Sequence, residues 1–188
     1  MNKKFVAKSN YILRKVINRP ENIDIIKDFI ESVLKLEISE IILRPYLEEL
    51  SNYLPKEENF GIVDVRIKTK ENEEINVGVQ FIDGEQNKLL LYFAQIHANQ
   101  HEHETHNNFA RTVTINILDF NYFNSEDYHK IIKLKQDFPN KIEEDLELHV
   151  LELKKIKNRN EKMQSREDMW VAYFEGSNQN LNNIAKEK

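Results

Sequence analysis

Apolar and polar positions along the chain follow two distinct periods. After Pro20 and Glu21, the stretch ENIDIIKDFIESVLKL carries Ile25, Ile26, Phe29, Ile30, Val33 and Leu34 at helical spacing, which predicts an amphipathic helix. EISEIILRPYL then reads as a short apolar strand that ends before Pro45. In GIVDVRIKTKENEEINVGVQF, residues 61–81, the period drops to two. Val63, Val65 and Ile67 face one way, and after the turn KENEE so do Ile75, Val77, Val79 and Phe81. This β-branched alternation predicts a half-buried antiparallel hairpin. Its outward positions are Asp64, Arg66 and Lys68 on the first strand and Asn76, Gly78 and Gln80 on the second. Glycine weakens a strand interior, so Gly78 requires an explanation.

Further along, QNKLLLYFAQIHANQ predicts a helix packed across the sheet, and HEHETHNN a polar loop. RTVTINILDFNYF contains a near-continuous apolar run, as a central strand covered on both faces would. DLELHVLEL alternates again, with Leu146, Leu148, Val150 and Glu152 on one side. EDMWVAYF predicts a last helix that breaks at Gly176 before a polar tail. This order of helices and strands predicts an α/β domain on a mixed central sheet flanked by helices. The domain is expected over residues 1–155, with a C-terminal helix and polar tail over 156–188.

Composition narrows the function classes. The 188 residues suffice for one real core, and 40% hydrophobic with 31% charged residues is ordinary for a globular protein. There is no cysteine, which excludes disulfides, thiolate metal sites and cysteine nucleophiles and fits a reducing cytoplasm. The basic opening MNKKFVAKSNYILRKV lacks an apolar run and a small-residue cleavage site, so no secretory signal is expected. Nor does any stretch have the length and apolarity of a membrane-spanning helix. The net charge of −5 argues against non-specific coating of nucleic acid. Charge is nevertheless uneven: LKKIKNRNEK, with Lys154, Lys155, Lys157 and Arg159, is a candidate nucleic-acid contact, and Lys130, Lys133 and Lys135 cluster before it. The plainer reading of both clusters is a solvated surface.

Candidate chemistry reduces to two constellations. His97, His101, His103 and His106 could ligate a metal, but they span a helix end and a loop without an HExxH pattern, and solvent-exposed histidines are the simpler reading. No glycine-rich phosphate loop and no GxSxG are present, so nucleotide hydrolysis and acyl transfer have no support. The hairpin remains. Metal-dependent phosphodiester cleavage needs hard oxygen ligands beside the scissile phosphate. Residues opposite one another on adjacent antiparallel strands sit about 4.5–5.5 Å apart, close enough to share one ion. Asp64, with an acidic residue opposite and a polar partner two places later, would be such a site.

DVR followed by INVGVQF, then LYFAQIHANQ and TINILDFNYF, closely resembles the PD-(D/E)xK nuclease-family transposases, the recombination-promoting nuclease group. In that family the two hairpin strands read like LDVRA and INIEMQ and a later strand like INILDFNLF. SNYILRKVI resembles the opening helix of the family, while DLELHVLEL and EDMWVAYFEG resemble its closing strand and tryptophan-bearing helix. The resemblance runs from about residue 8 to about residue 175. It implies a restriction-endonuclease-like core and DNA cleavage dependent on Mg²⁺ or Mn²⁺, with DNA as partner and a homodimer conceivable. Asp64 would be the central metal ligand, and Gln80 would take the place of the final lysine of the motif. It also implies a departure: the acidic positions of the family fall on Asn10 and Gly78. Glu31, Glu71, Glu73, Glu74, Asp83 and Glu85 are the carboxylates nearest to hand as substitutes. Two readings follow: a transposase-family nuclease whose site is degraded and weak or inactive, or a catalytically silent DNA- or protein-binding module on the nuclease fold.

Overall fold

The computed structural model describes residues 19–44, 62–82, 111–133, 146–158 and 165–176. Within them, α1 spans Ile23–Leu34, preceded by a 3-10 turn at Pro20–Asn22, where the fixed φ of proline suits a helix start. It buries Ile26, Phe29, Ile30 and Val33 and ends at Lys35, whose left-handed φ of 56° is compatible with its ammonium bonding Ser32 O and Glu167 Oε2, both at 2.5 Å. Six strands follow: β1 Ile38–Arg44, β2 Ile62–Thr69, β3 Glu74–Ile82, β4 Arg111–Leu118, β5 His129–Lys133 and β6 Leu146–Glu152. A 3-10 segment, Leu153–Asn158, leads toward α2, Arg166–Glu175. A Ser165–Asp168 capping box starts α2, and Gly176, at a φ of 86° that favours glycine, stops it.

These strands form one sheet in the order β1-β2-β3-β4-β6-β5. β1, β2 and β3 are successively antiparallel, β3, β4 and β6 are parallel, and β5 runs antiparallel along the far edge. The β2–β3 turn is tight because Asn72 accepts a φ of 66°, a conformation asparagine tolerates, and Thr69 Oγ1 accepts from Glu73 N at 3.2 Å. Parallel neighbours require a crossover, so the chain cannot pass from β3 to β4 by a hairpin.

The two sheet faces differ in composition. On one, Val65, Ile67, Val77, Val79, Val113, Ile115 and Ile117 share a core with Phe29 of α1 and Trp170 and Phe174 of α2. Phe29 meets Trp170 and Phe174 edge-on, with centroids 5.4 and 5.3 Å apart. Asp28 locks the two helices by accepting from Trp170 Nε1 at 2.8 Å and pairing with Arg166. The helix beyond residue 155 therefore belongs to the same core as the sheet. The other face carries the polar alternates of the same strands.

The hairpin, the apolar strand before Pro45, the two-sided central strand and both described helices lie where their periods predict. Two expectations need correction. β3 is buried along its length after Glu74, with Asn76 and Gln80 each 1% exposed, so the outward positions of that strand are covered rather than solvated. Likewise β6 is buried from Glu147 to Glu152 and is two-sided. Both follow from position: these strands have neighbours on each side, and a hairpin read by itself carries no information on what lies over it.

Candidate functional site

Register places the hairpin residues in rows across the sheet. Asp64 pairs with Gly78, and Gly78 with Thr114. One step along, Ile62 pairs with Gln80, and Gln80 with Asn116. Because strand side chains alternate, Asp64, Gly78, Gln80, Thr114 and Asn116 lie on one face. On the far side of Asp64 the register partner is Arg44.

The described side chains of this face form a buried polar patch. Thr112, Thr114 and Asn116 are fully buried. Gln80 Nε2 donates to Asn116 Oδ1, and Asn116 Nδ2 donates to Thr114 Oγ1 and to His149 O, each at 3.1 Å. Arg66 Nε donates to Asn76 Oδ1 at 3.4 Å. Gln80 Oε1 and Asn76 Nδ2 are buried without a partner among the described residues. An unspent buried polar atom costs about 1–3 kcal/mol. These two atoms bracket Gly78 along β3. Apart from the Arg66 guanidinium, the patch is neutral, with amides and hydroxyls where a metal site would hold carboxylates.

Nearby carboxylates are committed elsewhere. Glu31 accepts from Ile38 N at 2.9 Å, and Glu73 pairs with Arg111 at 3.3 Å. Glu74 shares the polar face but is exposed at the turn end, 3.9 Å from Arg66. None of the three extends to the row of Gly78. Asp83, Glu85, Asn10 and the histidines at 97, 101, 103 and 106 lie outside the described residues, as do Lys135 and Arg159.

Of the basic candidates, Lys154 is exposed on the 3-10 segment, and Lys157 lies on the same segment. Lys155 is 5% exposed: its ammonium is 2.6 Å from Glu152 Oε2 and donates to Phe123 O at 2.8 Å. It is a core cation, withdrawn from any nucleic-acid surface. Lys130 pairs with Asp127 at 2.7 Å, and Lys133 with Glu147 at 3.3 Å.

A second polar assembly, on the opposite face, was not anticipated. Lys35 contacts Glu167 Oε2, and Glu167 Oε1 lies 2.6 Å from His129 Nδ1. His129 Nε2 is 2.8 Å from His149 Nδ1, and His149 Nε2 is 3.0 Å from Glu147 Oε1. Glu147 Oε2 in turn meets Arg111 at 2.5 Å. The His129–His149 contact needs a hydrogen on just one of the two facing nitrogens, so two imidazolium rings would set N–H against N–H. Burial and the neighbouring His129 push the His149 pKa down to about 4, against the pull of Glu147. Burial pushes Glu147 and Glu167 up, but the Arg111 hydrogen bond to the first and the His129 and Lys35 hydrogen bonds to the second leave both below the ordinary value. The assembly ties β4, β5, β6 and α2 together. Among the described residues no group of three or more such side chains surrounds a metal position. Its one sequence signal is the alternation Glu147, His149 on the less apolar side of β6.

Compared with known families, residues 7–188 match the model of a family described as PD-(D/E)XK nuclease family transposase. No curated protein and no solved structure matches the chain.

Proposed function

The chain belongs to the PD-(D/E)XK nuclease family of transposases, and from that premise we propose that it is a DNA-directed member whose cleavage site has decayed to weak or no activity. Its six-stranded mixed sheet, with two helices packed on one face, is an α/β restriction-endonuclease-like fold. The observation that carries the proposal is the register of Asp64 against Gly78, with Gln80 two residues on. That row holds one carboxylate position and none opposite it, because Gly78 has no side chain to bring. Asn10 repeats the departure at the other acidic position of the family.

Fit to a divalent cation can be judged from the donors. Asp64 supplies one carboxylate and Gln80 one neutral oxygen, the unspent Oε1. Mg²⁺ commonly takes only one or two carboxylates from a protein, completing its shell with water and substrate phosphates. The pair therefore suits an ion held weakly until DNA arrives. Such an ion would polarise the scissile phosphate and activate the attacking water. Asp64 would hold and orient it, Gln80 would add an uncharged oxygen, and the covered amide patch would keep bulk water from the row. Loss of the Gly78 carboxylate removes negative charge from the cation site and weakens both binding and transition-state stabilisation.

Restoring that carboxylate is the test. Gly78→Glu should raise Mg²⁺-dependent nicking of supercoiled plasmid by on the order of tenfold or more over the native chain, and Asp64→Ala should abolish the gain. No gain in folded Gly78→Glu, even with Asn10→Asp added, favours the second reading, a silent binding module. That module would bind DNA independently of Asp64 and with a salt dependence set by the phosphates it neutralises.

A further inference from the structure

We propose that Asn116, on β4, is a positioning residue that fixes the Gln80 amide with its oxygen offered to a divalent cation. This deepens the reading above and rests on it.

The argument begins with His149 O, a main-chain carbonyl that can only accept. Asn116 contacts it at 3.1 Å, so the atom of Asn116 facing it must be the amide nitrogen. The same nitrogen reaches Thr114 Oγ1 at 3.1 Å, which uses its second hydrogen. Asn116 Oδ1 must then point the other way, toward Gln80. Two amide oxygens at hydrogen-bond distance would repel in so buried a site, so Gln80 turns its nitrogen to Asn116. The orientation of Gln80 is thus dictated from β6, through β4, to β3. All four residues are buried, Gln80 to 1% exposure and Asn116 to 0%.

One consequence is chemical. The atom of Gln80 left wholly without a partner among the described residues is Oε1, a hard oxygen on the face and strand of Gly78. A reversed amide would instead leave an N–H₂, which repels a cation. Asn116 touches neither substrate nor cation in this scheme and acts through Gln80 alone. A leucine at 116 would fill the same volume but free Gln80 to rotate.

The test uses the native, isotope-labelled chain and Mn²⁺ alone as probe. Through-hydrogen-bond coupling should connect Gln80 Nε2 to Asn116 Cγ. Mn²⁺ should broaden the Gln80 side-chain amide, and Asn116→Leu should raise the concentration required by on the order of tenfold. Coupling from Asn116 Nδ2 to Gln80 Cδ would overturn the proposal, as would unchanged Mn²⁺ broadening in folded Asn116→Leu. Should that variant not fold, the direction of the coupling in the native chain decides. Because neither readout needs cleavage, a silent Gly78→Glu variant would count against the proposed nuclease without touching the orientation of Gln80.

Discussion

The two faces of the sheet handle buried polarity in opposite ways. On the helix-covered face, charge is abundant and matched: Lys35, Glu167, His129, His149, Glu147 and Arg111 form one continuous line of contacts. On the other, Gln80, Asn116, Thr114 and Asn76 are neutral, and two of their atoms are unspent. Each ion of the first arrangement has a partner, as stability requires of buried charge, although Arg111 Nε itself makes no hydrogen bond. The second has little charge to match, and its unspent amide oxygen is what the proposed cation site would use. On that reading the contrast separates what holds the molecule together from what the sheet would bind.

The largest expected effect is on the charged face. Glu147→Ala leaves Arg111 with Glu73 alone and His149 with His129 alone, and should lower unfolding free energy by about 3 kcal/mol in denaturant titration. A result within about 0.5 kcal/mol of the native chain would mean that the line of contacts is decorative.

Acid should act on the same face. The His149 pKa lies near 4 in the folded protein against an ordinary 6.5, so between those values the unfolded chain binds a proton that the folded chain refuses. Stability is then full above about 6.5 and falls as pH drops toward 4, by on the order of 3 kcal/mol. Glu147 and Glu167, both held low, extend the loss in the same direction below the ordinary carboxylate range. His149→Phe should flatten the upper part of that fall in melts recorded across pH.

A smaller effect separates the two adjacent lysines. Lys155→Met leaves Glu152 without its cation in a fully buried position, although Tyr122 N and Phe123 N still donate to it. A cost of about 2 kcal/mol is expected, whereas Lys154→Met should stay within about 0.5. In a DNA-binding assay the order should reverse, with Lys154 affecting affinity and Lys155 affecting only stability.

The smallest is on the neutral face. Gln80→Met relieves the unspent Oε1 but leaves Asn116 Oδ1 unmatched, two terms of similar size, so stability should shift by less than about 1 kcal/mol. A residue this buried and this dispensable for folding would be a site residue rather than a core one.

Much of this was legible from residue order. The period-two runs around Asp64 and Gln80 located β2 and β3, Pro45 bounded β1, and Gly176 ended α2, because each is local chemistry. The shared face was readable too, since strand alternation alone puts positions 64, 78 and 80 on one face. What escaped was set by distant neighbours. β5 is five residues, HKIIK, with lysines beside its two isoleucines; this is how an edge strand deters further pairing, and it reads as a basic cluster. His129 and His149 meet only through the β5–β6 register, which no local pattern announces. Burial of Lys155 likewise depends on Glu152 and Phe123, one of them a turn of chain away and the other on the far side of β5 and β6 in sequence.

The central claim is that Gly78 marks the missing charge of a cation site centred on Asp64. Plasmid nicking in Mg²⁺ by the native chain, Gly78→Glu and Gly78→Glu with Asp64→Ala tests it most directly. The account predicts a gain on the order of tenfold or more for the single variant and its loss in the double. Vigorous nicking by the native chain, unchanged by Gly78→Glu and insensitive to Asp64→Ala, would contradict it.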